Sequence, residues 1–304
     1  MTTADSLHDA VLAGPPVITP QRGAAPPVDA TEVLDRIDTT LDLIAEATAS
    51  AEDLGPLERV DVTVLVPARN RRDELPVVLD RLDEVMPPAT EVIVIDAAST
   101  DGTPQYVRGR IRQNANATGR SGAERLRLLG RRVDHGRGSD LRLGIRHSRG
   151  HVVAIQDVDL SQDPADLLAG VWPILERKAD AVFGMRRERG HILDKIATRI
   201  TNHVAGVDLH DTLHGQKVFR GKVLRSLALT ETGVGFDAEA TAKFVAALDT
   251  HPDAVGMLMQ CPMPHAIDTD VLSDRRGTRT SDWSDRIGMI RSAWRHRGLD
   301  RGVD

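Results

Sequence analysis

The sequence predicts an α/β fold with a mainly parallel sheet flanked by helices. Three observations carry this. The runs Val62-Thr-Val-Leu-Val66, Glu91-Val-Ile-Val-Ile95 and His151-Val-Val-Ala-Ile155 are apolar along nearly their whole length, as strands buried on both faces are. Between the first two, residues 73–85 place Leu75, Val78, Leu79 and Leu82 on one helical face. Each run is followed within two residues by a turn-forming or acidic residue: Pro67, Asp96 and Asp157. Strands alternating with helices form βαβ units, whose crossovers require parallel strands.

Composition agrees with a globular chain. The protein has 304 residues, 40% hydrophobic and 28% charged, with a net charge of -6. That balance excludes a collagenous or wholly disordered chain and is unlike a strongly basic nucleic-acid binder. Cys261 is the single cysteine, so neither an intrachain disulfide nor a Cys-rich zinc module is expected. No apolar run approaches the roughly 18 residues of a membrane-spanning helix. The short apolar stretch near the start is broken by Pro15-Pro16, which argues against a signal peptide. A cytoplasmic protein is the expectation.

The elements follow in order. Residues 1–30, rich in Ala, Pro, Thr and Gly, read as a disordered arm. Residues 31–58 read as a helical extension, since Val33, Leu34, Ile37, Leu41, Ile44 and Ala45 fall at helical spacing. A core domain is expected over 59–270. It opens with the strand at 62–66, the helix at 73–85 and the strand at 91–95, then a loop over 97–104 and a further helix. Residues 108–149 carry 12 Arg and two Gly-rich stretches, and read mainly as a solvated surface. The strand at 151–155 comes next, then a helix opened by Asp163-Pro164, a strand at 181–183, a helix near 192–206, a strand near 216–219 and a helix near 236–248. Residues 271–304 read as a loop and a basic amphipathic helix. There Trp283, Ile287, Ile290 and Trp294 recur at +4, +3 and +4 among Arg286, Arg291, Arg295 and Arg297. Such a helix suits either a membrane interface or docking on a protein surface.

The chemistry sits at strand ends. In open α/β sheets, ligands bind outside the carboxyl ends of the strands. Asp157-Val-Asp159 follows a buried strand, and two carboxylates so placed can share a hard divalent cation that also binds phosphate oxygens. Alone, an Asp-x-Asp is usually a capped turn; its position after Val-Val-Ala-Ile is what makes it a candidate site. Asp96 also ends a strand and suits a ribose hydroxyl or a base N–H, or the capping of the next turn. The loop Pro67-Ala68-Arg69-Asn70 lies near the same edge.

Together these segments resemble the GT-A glycosyltransferases of family 2. The resemblance rests on Val64-Leu-Val-Pro-Ala-Arg-Asn70, Val92-Ile-Val-Ile-Asp-Ala-Ala-Ser-Thr-Asp-Gly-Thr103 and Val153-Ala-Ile-Gln-Asp-Val-Asp-Leu160, in that order and spacing. Further segments are similar to the polyprenyl- or dolichyl-phosphate sugar transferase branch. These are Gly136-Arg-Gly138, Phe183-Gly-Met-Arg186, Asp211-Thr-Leu-His-Gly-Gln-Lys-Val-Phe-Arg220 and Gly235-Phe-Asp-Ala-Glu239. The resemblance covers residues 60–300 and implies a GT-A fold, a nucleotide-diphosphate sugar donor, Mg2+ or Mn2+, and inversion at the anomeric carbon. It implies Asp157 and Asp159 as metal ligands. Pro67, Ala68, Asn70, Asp96, Asp157 and Lys217 are implied as donor-binding residues, and Asp159, Arg186, Arg199 and Glu239 as catalytic residues.

The branch places a metal-completing Gln two residues after the second Asp. Here that position is Ser161, and Gln162 follows it. The chain also has Asp96-Ala97-Ala98-Ser99 where the branch has Asp-Asp-Gly-Ser, and Arg69-Asn70-Arg71 where it has Tyr-Asn-Glu. Both segments form the floor under the nucleoside, so a different donor base or sugar is expected.

The acceptor divides the readings. A polyprenyl phosphate needs cations and no base, and Arg186, Arg199 and Lys217 are the candidates. A hydroxyl acceptor in a specialised antibiotic or glycan pathway needs a carboxylate base, Glu239 or Asp237. A nucleotide-sugar binding homologue without turnover is a third reading, prompted by the altered Asp96-Ala97-Ala98 loop. A nucleotidyltransferase is disfavoured because no Gly-rich phosphate loop follows the first strand. The expected partners are the nucleotide sugar, a polyprenyl phosphate, a peripheral contact at the inner membrane face, and a second copy of the chain; no nucleic acid is expected.

Overall fold

The computed structural model describes residues 60–118, 125–185, 192–233, 235–263 and 265–267. The expected N-terminal arm, the 31–58 helix, the 271–304 segment and Arg186 lie outside the described residues.

Seven strands form one sheet: β1 (Val62–Ala68), β2 (Thr90–Ala97), β3 (Leu126–Arg131), β4 (Val152–Ile155), β5 (Ala181–Met185), β6 (Lys217–Arg220) and β7 (Leu258–Pro262). Their order is β3-β2-β1-β4-β6-β5-β7. All neighbours are parallel except β6, which runs antiparallel to both β4 and β5. The helices are α1 (Leu75–Val85), α2 (Thr103–Thr118), α3 (Arg137–His147), α4 (Leu168–Leu175), α5 (Ile192–Ala205), α6 (Gly221–Ser226) and α7 (Phe236–Leu248).

The apolar runs become the central strands because both of their faces are covered. Val62, Val64, Leu65, Val66, Ile93, Val94 and Ile95 are fully buried. Leu75, Val78, Leu79 and Leu82 of α1 pack onto one face as their spacing required. On the other face, Gly144 of α3 lets the helix approach Leu65 and Ile95, where a Cβ would come within 3.0 Å of both side chains. Phe183, Phe219 and Phe244 stack in series under the β5–β6 half.

The Arg-rich block 108–149 is the main departure from the sequence reading. It contains β3 and α3 as well as the end of α2. Strand β3 carries Arg127 and Arg131 inside its sequence, which hid its periodicity. Arg127 is accommodated by an ion pair to buried Glu91 at 3.1 Å, and Arg131 by Asp140 at 3.4 Å. The partly exposed edge strand β7 and the short α6 were likewise not expected from the sequence.

The topology locates the cleft. From β1 the chain moves outward through β2 to β3, then returns to place β4 on the other side of β1. This reversal is the switch point at which open sheets bind ligands. Strand β1 pairs with β2 over seven residues, but with β4 only through Leu65↔Ile155. Pro67, which has no N–H to donate, falls where β1 has already lost its β4 neighbour. The strands part there, with Pro67-Ala68 on one side and Asp157 on the other.

Candidate active site at the carboxyl edge of the sheet

The loops after β1 and β2 are tied to each other. The Asn70 amide N–H donates to Ser99 Oγ at 2.8 Å, and the Asn70 side-chain oxygen accepts from Thr100 N at 2.9 Å. Asn70 and Ala98 both have positive φ, 51° and 53°. Ala98 stands where the resembling branch has glycine, and a left-handed alanine costs about 1–2 kcal/mol. The two loops therefore hold their shape through mutual hydrogen bonds rather than through a permissive glycine.

Beneath them lies a buried polar group. Asp96 accepts from Ser99 N through Oδ2 at 3.3 Å, while its Oδ1 is buried without a partner. His135 Nε2 is likewise buried without a hydrogen bond, and Arg131 Nε and Asp140 Oδ1 meet only as an ion pair at 3.4 Å. Burial pushes the Asp140 carboxyl up to about 7, against the pull of Arg131. Asp134 bonds Arg69 across the mouth and accepts from Gly136 N at 2.8 Å.

On the other side of the cleft four charged side chains form a chain. Arg137 forks Asp157, with Nε to Oδ1 at 3.0 Å and Nη2 to Oδ2 at 3.2 Å. Its Nη1 reaches Asp237 Oδ2 at 3.2 Å. Asp237 Oδ1 accepts from Lys217 Nζ at 2.9 Å, and Lys217 also donates to the His214 carbonyl at 2.6 Å. Burial opposes charge on both Asp237 and Arg137. The neighbours outweigh it: Lys217 and Arg137 hold the Asp237 carboxyl below the usual range, and Asp157 and Asp237 raise the guanidinium above its own.

The segment after β4 is pinned from below. Gln156 Nε2 donates to the carbonyls of Asp157 and Gln162, and Gln216 Nε2 to Gln156 Oε1 and the Asp163 carbonyl. Asp159 Oδ1 accepts from Ser161 N at 2.9 Å. Gln162 Oε1 is buried with no partner. A Cβ built on Gly215 would lie 2.6 Å from Asp157 Oδ2, 2.8 Å from Gln162 Oε1 and 2.9 Å from Gln162 Nε2, so the Asp157 carboxylate and the Gln162 amide border one small space. Among the described residues there is no group of three or more His, Cys, Asp or Glu arranged for a metal. The donor set nevertheless fits a hard cation: two carboxylates and an unused amide oxygen, with water completing the shell as it does for Mg2+.

Of the expected donor residues, Pro67, Ala68, Asn70, Asp96 and Asp157 lie at or just after the carboxyl ends of β1, β2 and β4, as does Asp159, expected as a metal ligand. Lys217 reaches it only through Asp237, and at 1% exposure it is committed to internal bonds. Glu239 departs from expectation. It is fully buried, and its carboxylate accepts from Thr230 N, Thr230 Oγ1, Glu231 N and Lys243 Nζ. It fastens the 230–231 loop, and these donors hold it below the usual carboxylate range despite burial. The base expected there is not in the cleft, whereas Asp237 is. Arg199 is exposed on α5. Arg137 and Gln162 were not picked out as site residues. Arg137 was one of 12 similar arginines, and only Gly136-Arg-Gly138 marked its place.

A doubly flanked, mostly parallel sheet with an Asp-x-Asp at its switch point defines the GT-A class of nucleotide-sugar folds. The chain belongs to glycosyltransferase family 2: the family model, described as "Glycosyl transferase family 2", matches residues 63–228. Three curated relatives are similar to it. A dodecaprenyl-phosphate galacturonate synthase of Rhizobium johnstonii is 28% identical over 183 residues, 57% of this chain and 52% of the relative. An undecaprenyl-phosphate mannosyltransferase of Micrococcus luteus is 26% identical over 59% of this chain and 76% of the relative. A polyprenol monophosphomannose synthase of Mycolicibacterium smegmatis is 26% identical over 55% of this chain and 64% of the relative. The chain thus spans about half the length of the first and under two thirds of the third. In fold it is similar to glucosyl-3-phosphoglycerate synthase from Mycobacterium tuberculosis. That structure, solved with Mn2+, UDP and phosphoglyceric acid, has a TM-score of 0.56 and 19% identity, over 80% of this chain and 81% of that one.

Proposed function

We propose that this protein is a metal-dependent inverting glycosyltransferase that moves a sugar from a nucleoside-diphosphate donor to a polyprenyl-phosphate-type acceptor. One observation carries the choice of acceptor: neither carboxylate expected as a base, Asp237 or Glu239, is poised as one. Asp237 is clamped between Lys217 and Arg137, and Glu239 is saturated by four donors. Both are held below the usual range, whereas a general base works best with a pKa near the operating pH. A hydroxyl nucleophile must lose a proton as it attacks. A phosphate oxygen is already anionic and needs none. The names of the three relatives, each a polyprenyl- or polyprenol-linked sugar transferase, support the same acceptor class.

The acceptor oxygen forms its bond to the anomeric carbon on the face opposite the donor phosphate. The carbon–oxygen bond to that phosphate breaks, and its electron pair leaves with the nucleoside diphosphate, so the configuration inverts. A divalent cation, when bound, neutralises the charge that grows on the diphosphate. Asp157, Asp159 and Gln162 would hold it. Asp96 and the Asn70–Ser99 pair of loops would seat the nucleoside. Arg186 and Arg199 are assigned to the acceptor phosphate. Residues 59–270 are the proposed catalytic unit, and the basic 271–304 helix the proposed membrane contact. No helix among the described residues is long and apolar enough to cross a membrane.

The second reading, a hydroxyl acceptor, has Asp237 as its base because Asp237 alone of the two candidates faces the cleft. The test is transfer of radiolabel from UDP-, GDP- and dTDP-sugars to a short-chain polyprenyl phosphate with Mn2+. The expected outcome is organic-extractable label that Glu239→Gln retains. Label found only on water-soluble alcohols turns the assignment to the second reading. Metal-dependent nucleotide binding without any transfer turns it to a binding protein.

A further inference from the structure

Resting on the donor-site reading above, we infer that Arg137 is a built-in counterion that competes with the divalent cation for Asp157, so that cation and nucleoside diphosphate enter the cleft as a coupled pair. Both Asp157 oxygens are taken by the guanidinium fork, at 3.0 and 3.2 Å. The third nitrogen is held by Asp237, and Lys217 fixes Asp237 in turn. Two carboxylates and two cations balance. A divalent cation entering alone adds two positive charges beside a guanidinium that cannot lose its own.

The anchor of this side chain is rigid. Arg137 begins α3 directly after Gly136, whose φ is 87°. A Cβ on Gly136 would lie 2.7 Å from the Thr232 carbonyl oxygen, and one on Gly138 2.7 Å from that of Gly233. The helix start is pressed against the 231–233 loop, so only the side chain can yield to a cation. A nucleoside diphosphate resolves the conflict. Its oxygens bind the cation and offer the released guanidinium N–H groups a planar, two-pronged partner. Each ligand then strengthens the other by the same factor, as linkage requires. Arg137 is a positioning residue here, since it acts through Asp157.

The experiment is a titration of the full chain with Mn2+, following the free-ion EPR signal, alone and with GDP, UDP, dTDP, ADP or CDP. In the wild-type protein, at least one diphosphate should tighten Mn2+ about tenfold or more. In Arg137→Leu, Mn2+ alone should bind about tenfold more tightly than in wild type, and the gain from nucleotide should shrink by a similar factor. Arg137→Lys, which keeps the charge but not the fork, should fall between. If Arg137→Leu does not fold, as judged by circular dichroism, the lysine variant and the wild-type coupling decide. Tight Mn2+ binding by the wild type with no gain from any nucleotide overturns the inference. So does nucleotide-coupled binding that neither substitution changes; in that case the donor-site reading survives. Absence of Mn2+ binding with all five nucleotides, in every protein, removes both.

Discussion

The two edges of the sheet both carry buried charged groups but treat them differently. At the amino edge of the parallel strands, each buried carboxylate is enclosed by donors. Glu91 accepts from Thr63 Oγ1, Arg149 N, Arg149 Nε and Arg127 Nη1. Asp180 accepts from Arg220 Nε and the amides of Val255 and Met257, tying the entries of β5 and β7 to the end of β6. At the carboxyl edge, Asp96, His135, Gln162 and Gln216 each keep a buried polar atom without a partner, and Arg131 Nε and Asp140 Oδ1 meet only at 3.4 Å. Folded chains pair such atoms almost without exception, and unpaired ones mark places where something else completes the set. At the amino edge the chain itself completes the carboxylates and leaves only Thr90 Oγ1 open among the described side chains; at the carboxyl edge it leaves more open.

The sharpest way to break this comparison is at Asp180. Asp180→Ala leaves Arg220 buried beside two free amides and should cost about 3–5 kcal/mol in urea unfolding. A loss no larger than that of a surface substitution would end the claim that this edge is structural. Asp157→Asn should do the reverse. Stability should hold within about 1 kcal/mol, while Mn2+-dependent stabilisation by a nucleoside diphosphate falls by about a hundredfold in affinity. Thermal shifts with and without Mn2+ measure both. Glu239→Gln lies between the edges in effect: it weakens the 230–231 clamp by about 1–2 kcal/mol and leaves transfer within a few-fold of wild type. A near-complete loss of transfer with unchanged stability would restore it as a base.

Asp140 gives the effect that depends most specifically on pH. Its carboxyl, near 3.8 when exposed, is pushed up to about 7 by burial. The folded state therefore binds the proton more tightly than the unfolded state. The stability this adds is complete at low pH and is lost as pH rises through about 7. The thermal midpoint of wild type should thus fall across that range, and the Asp140→Asn protein should lack that component. Parallel pH profiles of the two would refute the shift.

The parts legible in the sequence were those where one force dominates. Continuous apolar runs announced β1, β2, β4 and β5, because burial on both faces admits little else. Strand ends then marked Asp96, Asp157 and Asp159. The illegible parts depend on pairings between distant residues. Strand β3 hides because Arg127 and Arg131 interrupt it, and their partners Glu91 and Asp140 lie elsewhere in the chain. Glu239 read as a base because sequence does not show which side of α7 meets the cleft. Two residues along a helix is a turn of about 200°, and that rotation separates Glu239 from Asp237. Gln162 sits one place past the expected position, and only its buried, unpaired oxygen makes it a candidate.

Gly215 carries a last consequence. The space beside Asp157 and Gln162 is reserved by the lack of a single carbon atom, not by any charge. A methyl group there would press on Asp157 Oδ2 at 2.6 Å and on the Gln162 amide at 2.8 Å, and would push both side chains aside without changing the net charge. Gly215→Ala therefore alters the position of the Asp157 carboxylate by size alone, with no charge added or removed.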